Sequence, residues 1–168
     1  MTGLAFTASQ HKLLLPPDTR EAVNSWIKQQ AVSSHRSPDQ TAFSRLIDFW
    51  FMSIAWAVHR DLKPAEKATG KQFVNLGPNQ NDIRMLEDWR GDLLTVLAVY
   101  EFGHDSKDAS DVRKVIDLAN RYAEVGAPAL LEVLREQDNL AMPKLYVAAD
   151  IFSLVVEDNS HEYRGLVF

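Results

Sequence analysis

Residues 45–60 read RLIDFWFMSIAWAVHR, and the placement of this stretch decides the fold. Its apolar run, Leu46–Val58, covers 13 residues. As a helix that is roughly 20 Å long, against about 30 Å of bilayer hydrocarbon. Asp48 and Ser53 interrupt it. A membrane span is therefore not expected. Placed at helical intervals, Thr41, Ser44, Arg45, Asp48, Met52, Ala55 and His59 fall within an arc of about 100°. The rest of the middle turns is apolar or small, so the segment reads as a central core helix with one narrow polar strip. Arg45 lies three residues before Asp48, the spacing of an intrahelical ion pair. Three fates are open to the strip. It faces solvent; it meets a partner through Arg45, Asp48, Met52 and His59; or it holds a buried Asp48 with a perturbed pKa, the mark of an active site.

Reading outward, Ser37-Pro38-Asp39-Gln40 has the form of a helix start, with Ser37 as cap and Pro38 as first helical residue. The central helix is thus expected over Pro38 to about Leu62, where Lys63-Pro64 ends it. Upstream, residues 1–16 read as an extended arm halted by Pro16 and Pro17. Asp18 with Glu21 forms a capping box for a helix that places Val23, Trp26, Ile27 and Ala31 on one face. Downstream, Gly70, Gly77, Pro78, Asn79 and Asn81 make residues 63–81 a long loop, with Phe73, Val74 and Leu76 available to pin it to the core.

The following helix is expected from Asp82 to about Phe102, with Ile83, Leu86, Trp89, Leu93, Leu97 and Tyr100 inward. Another runs over about 109–125, with Val112, Val115, Ile116, Ala119, Tyr122 and Ala123 inward. Gly126 suits the residue after a helix end, and Pro128 the start of a short helix to about Glu136. A final helix covers about 143–157, and residues 158–168 read as an extended tail. The expected architecture is a single all-α domain, a bundle of about six helices with short extended ends.

With 168 residues, 46% hydrophobic and 24% charged, the chain suits one globular domain. It has no cysteine, which excludes disulfides, thiolate zinc sites and a cysteine nucleophile and fits a reducing, cytoplasmic setting. The N-terminus lacks the pattern of a signal peptide. Net charge is −5, which speaks against generic polyanion binding. The charge is uneven: residues 1–62 balance at +1 and residues 63–168 at −6.

No catalytic motif emerges. Glu101 and His104 have the Glu-x-x-His spacing of di-iron bundles, but the motif occurs once. Asp48 and His59 are too far apart along a helix to share an ion. His161-Glu162 lacks a second His four residues on. ATGKQF carries a Gly70-Lys71 pair, but Ala65 stands where a phosphate loop needs its first Gly, and Gln72 follows Lys71. There is no G-x-S-x-G. The adjacent acids Glu87-Asp88 and Glu157-Asp158 suit a solvated surface. No metal or other cofactor is therefore expected. One basic group, Arg60, Lys63, Lys67 and Lys71, surrounds the entry to the loop and is diluted by Asp61 and Glu66. It is a candidate for phosphate contacts and nucleic-acid binding. Arg84, Arg90, Arg113, Lys114 and Arg121 are expected to form ordinary surface pairs.

Three segments carry a resemblance: RLIDFWFMSIAWAVHR, then WRGDLLTVLAVYEF, then VIDLANRYAEVGAPALLEVL. Their order is an aromatic helix, a Leu-rich helix, and an A-N-x-Y-A-x-x-G helix leading into a short apolar one. This resembles small accessory proteins of bacterial DNA phosphorothioation (Dnd-type) and related anti-phage restriction systems, over about residues 43–134. The resemblance implies an α-helical, non-catalytic subunit that contacts protein partners in a larger complex with ATPase, nuclease or modification proteins. It supplies no catalytic residues. In Asn120-x-Tyr122-Ala123-x-x-Gly126, Gly126 has a structural role as a helix end, Ala123 allows close packing, and Asn120 is placed to bond a neighbouring backbone. The alternatives are a nucleic-acid-binding module built on Arg60–Lys71 and, behind it, an enzyme with a site around Asp48.

Overall fold

A computed structural model describes residues 11–27, 43, 45–76 and 89–139. The elements, in order, are strand β1 (His11–Leu15), helix α1 (Pro17–Val23) with a 3-10 turn (Asn24–Trp26), helix α2 (Leu46–His59), strand β2 (Lys71–Leu76), helix α3 (Trp89–Phe102), a second 3-10 turn (Lys107–Ser110) and helix α4 (Val112–Asn139). The expected six-helix all-α bundle is overturned. The described chain is mostly helical, with four α-helices and a two-stranded antiparallel sheet.

The sheet comes from the segment read as an extended arm and from the one read as a long loop. In HKLLL, His11, Leu13 and Leu15 are buried while Lys12 is exposed, the period of two that a strand imposes. Its partner KQFVNL lies inside the expected 63–81 loop. It pairs His11 with Leu76, Leu13 with Val74 and Leu15 with Lys71, and the register slips between Leu13 and Leu14. The Gly, Pro and Asn residues that flank KQFVNL masked it. Six residues without strict alternation, far from their partner in sequence, carry little local signal.

The other edge of β1 is closed by side chains. Asn120 of α4 accepts from the Leu14 N–H at 2.8 Å and donates to the Lys12 carbonyl at 2.9 Å. The Trp50 indole N–H donates to the Leu14 carbonyl at 3.1 Å. Three backbone groups at the centre of β1 are thus satisfied on the edge away from β2. The bond foreseen for Asn120 is thus made, and its partner is this strand.

The central helix is shorter than expected. Phe43 is extended, its N–H donating to the Trp26 carbonyl at 3.1 Å as part of a bridge to Ile27, and α2 begins only at Leu46. The expected start at Pro38 and the cap at Ser37 lie outside the described residues. Phe43 is buried and meets Phe49 edge-to-face at 5.3 Å; this burial outweighs continuation of the helix. At the other end the Asp61 N–H bonds the Val58 carbonyl and the Leu62 N–H the Ala57 carbonyl, with Asp61 at φ 53°. This is a Schellman end with Asp in the left-handed position usually given to Gly, one turn ahead of Pro64. At α1 the expected cap also differs: Asp18 lies inside the helix, and Pro16 precedes it without a side-chain cap bond.

Residues 112–139 form one helix, not two. Gly126 does not end it, and Pro128 lies inside it on an exposed side. Gly126 is where α4 crosses α2: a Cβ there would stand 2.0 Å from the Ser53 carbonyl oxygen and 2.9 Å from the Ala57 Cβ. Ala123 and Ala127 flank the crossing and are fully buried. Around it the core gathers Phe49, Trp50, Phe51 and Ile54 from α2, Leu94, Leu97 and Ala98 from α3, and Val115, Ala119, Leu130 and Leu134 from α4. The final helix expected at 143–157 and the tail at 158–168 lie outside the described residues, as do Ile83, Leu86 and Ala31.

Candidate functional site

The polar strip of α2 divides. At its N-terminal half it meets α3. The Arg90 guanidinium donates to Asp48 Oδ1 at 2.5 Å, with side chains 11% and 17% exposed, and its Cζ lies 5.9 Å from the Phe51 ring centroid. Arg45 reaches the same oxygen at 3.3 Å. Asp48 therefore joins α2 to α3, and Arg90 is a part-buried partner, not the surface pair expected for it. Met52, one turn on, is buried. Among the described residues of the strip only His59, at the far end, is exposed. The structure places Arg45 and Asp48 together and His59 apart from them.

His59 belongs instead with the basic turn. Trp56 has the His59 ring 5.7 Å away and the Arg60 guanidinium 5.6 Å from its centroid. Arg60, Lys63, Lys67 and Lys71 are all exposed. None of them forms an ion pair with a described residue. The loop bearing them is fixed on α4. Arg121 donates through Nε to the Ala65 carbonyl, and the Ala65 N–H donates to the Arg121 carbonyl at 3.2 Å. Glu124 accepts from Thr69 Oγ1 at 2.5 Å and from the Gly70 N–H at 3.1 Å. Gly70 lies against β1, where a Cβ would come within 2.6 Å of the Leu15 backbone. Arg121, expected as a surface partner of carboxylates, is thus a tether for the loop.

The sequence reading missed the outer face of α3. Leu94, Leu97 and Ala98 point to the core. That leaves Val96 66%, Val99 37% and Tyr100 70% exposed on the opposite side, although Tyr100 was expected inward. Residues three and four apart share a helix face, so the three side chains form one apolar ridge. The signal was ambiguous because α3 is apolar nearly all round. The stripe Leu93-Leu97-Tyr100 has the same i, i+4, i+7 spacing as Leu94-Ala98-Glu101, and only the partner helix chooses between them. Glu101 confirms the second stripe. It accepts from the hydroxyl of Tyr122, a residue buried on α4. Burial, the Glu101 bond, and the nearby Tyr100 and Asp61 charges push the Tyr122 phenol well above its ordinary range.

The remaining candidates do not converge. Glu101 is taken by Tyr122, and His104 pairs with Asp105 at 3.1 Å on the surface. Among the described residues no three His, Asp or Glu side chains gather as a metal site, and no helix is long and apolar enough to cross a membrane. Lys114 forms the expected surface pair, with Asp108 at 2.5 Å. His11 is buried at the start of β1. Desolvation first, then the Arg113 charge, hold its pKa below 6.5, against a smaller opposing effect of Asp111. Comparison of the chain with protein-family models, curated proteins and solved structures finds no match.

Proposed function

We propose that the protein is a non-catalytic interaction subunit of a bacterial DNA-modification or anti-phage restriction system, acting by protein–protein contact. The observation that carries the contact is the exposed Val96–Val99–Tyr100 ridge. Exposed apolar clusters with an aromatic residue are typical of interaction surfaces. The setting comes from the resemblance over residues 43–134, which includes the ridge. Tagged protein expressed in its native host is expected to co-purify with at least one partner in fixed ratio. Recovery of the protein alone, at low and high salt, would overturn the reading.

A second reading rests on the basic turn. Arg60, Lys63, Lys67 and Lys71 are exposed cations without a carboxylate partner among the described residues, and Arg60 lies over the half-buried Trp56 ring. Cations next to an aromatic ring suit a nucleic-acid strand. This reading predicts DNA binding that weakens steeply with salt and is lost when all four become Ala. Unchanged binding in that variant would exclude it.

A further inference from the structure

Apolar side chains exposed singly need no explanation, but Val96, Val99 and Tyr100 lie within little more than one turn of α3. The exposed charges on α3 have one sign. Arg90 is the only cation in Trp89–Phe102, and it is turned inward to Asp48. Asp92, one turn before Val96, is exposed. Beyond the other end stands exposed Asp105, beside His104; Glu101 is turned to Tyr122. The ridge is thus an apolar strip with carboxylates at both ends.

We propose that the outer face of α3 docks a cationic amphipathic helix of a partner protein. Apolar residues at i, i+3, i+4 and i+7 of that helix would cover Val96, Val99 and Tyr100. Lys or Arg at its ends would meet Asp92 and Asp105. Tyr100 is the anchor, since it offers a large area with few rotatable bonds. The proposal rests on the reading of the protein as an interaction subunit and names the chemistry of its partner. Two nearer occupants fit less well. A second copy brings the same carboxylates and a net charge of −5. The chain's own apolar stretch, LYVAADIFSLVV (145–156), contains Asp150 and is followed by Glu157 and Asp158.

The test uses three labelled peptides titrated against the full chain by fluorescence anisotropy. One is a designed helix with Leu at i, i+3, i+4 and i+7 and two Lys at each end. The second replaces those Lys by Glu. The third is LAMPKLYVAADIFSLVVE, residues 140–157. The Lys-flanked peptide is expected to bind roughly tenfold or more tightly than the Glu-flanked one at low salt, with the gap closing as salt screens the pairs. Val96→Asp with Tyr100→Asp is expected to abolish binding, and Asp92→Asn with Asp105→Asn to remove the preference for Lys. Both pairs of positions are exposed, so circular dichroism is expected to show an intact fold. Equal binding of the two designed peptides, binding unaffected by the ridge variant, or tightest binding of the third peptide would each overturn the proposal. So would a dimer that the ridge variant dissolves. If host partners are captured equally by wild type and ridge variant, this docking site fails while the interaction-subunit reading stands. If the Lys-flanked peptide binds as expected but no host partner is recovered, the docking chemistry stands and that reading fails.

Discussion

The backbone of Gly126 on α4 lies against the backbone of Ser53 on α2 so closely that a Cβ would meet the Ser53 carbonyl oxygen at 2.0 Å. In an exposed helix, Gly→Ala gains about 1 kcal/mol. Here it must force two helices apart. Gly126→Ala is expected to destabilise by about 3 kcal/mol, the upper end of overpacking penalties. Urea unfolding measures this, and a neutral or stabilising effect would refute the close crossing.

Asp61 poses the reverse case. It is a non-glycine residue at φ 53° closing α2. Asp61→Gly removes a side chain from a left-handed position that disfavours it. The expected gain is about 0.5–1 kcal/mol in thermal or urea unfolding. A loss would mean that the Asp61 side chain itself secures the turn.

Asn120 serves two backbone groups of β1 at once. Asn120→Ala removes partners from the Leu14 N–H and the Lys12 carbonyl. Both bonds are part-buried and Lys12 is exposed, so at about 0.5–1.5 kcal/mol for each bond lost the expected cost is about 2 kcal/mol. Asn120→Asp keeps the acceptor and loses the donor, so it should fall between Ala and wild type. Hydrogen exchange at the Leu14 amide is the direct readout and should quicken in Asn120→Ala.

Asp48 lies between two arginines of unlike setting: Arg90 is part-buried and Arg45 more exposed. Double-mutant cycles should give a coupling of about 2 kcal/mol for Asp48–Arg90 and about 0.5 kcal/mol or less for Asp48–Arg45. Equal couplings would contradict the asymmetry in burial.

His11 makes stability pH-dependent. Its folded pKa is lowered below 6.5, so the unfolded chain binds the proton more readily. Stability should therefore be complete above pH 6.5, fall as pH drops below that value, and level off below the folded pKa. Chemical unfolding between pH 7.5 and about 5 checks this, with His11→Phe expected to flatten the profile.

Much of the core was legible because α2 and α4 follow helical periodicity without competition. Ile47, Trp50 and Ile54, and Val115, Ala119 and Tyr122, are buried as their spacing requires. The sheet was not legible, since Leu13 and Val74 belong together only through a pairing of two distant segments. Gly126 was read by its commonest local use, a helix end, whereas its role is set by a helix about 70 residues earlier. The Arg45–Asp48 pair was legible from spacing alone; Arg90, its stronger partner, was not, because nothing local to WRGD points to Asp48. The ridge on α3 was hidden for the opposite reason: too many apolar residues left the inward face undecided.

The bonds that close β1 have a consequence for synthesis. Lys12 and Leu14 leave the ribosome well before Asn120, which is 106 residues beyond Leu14. At about 5–20 residues per second in translation, that gap is on the order of ten seconds. Throughout it HKLLLPP has neither Asn120 nor, until later than Trp50, its partner strand. The first described segment to be made is thus among the last able to fold. A chain stalled before β2 is complete would display three consecutive leucines with open backbone, a natural hold for a chaperone.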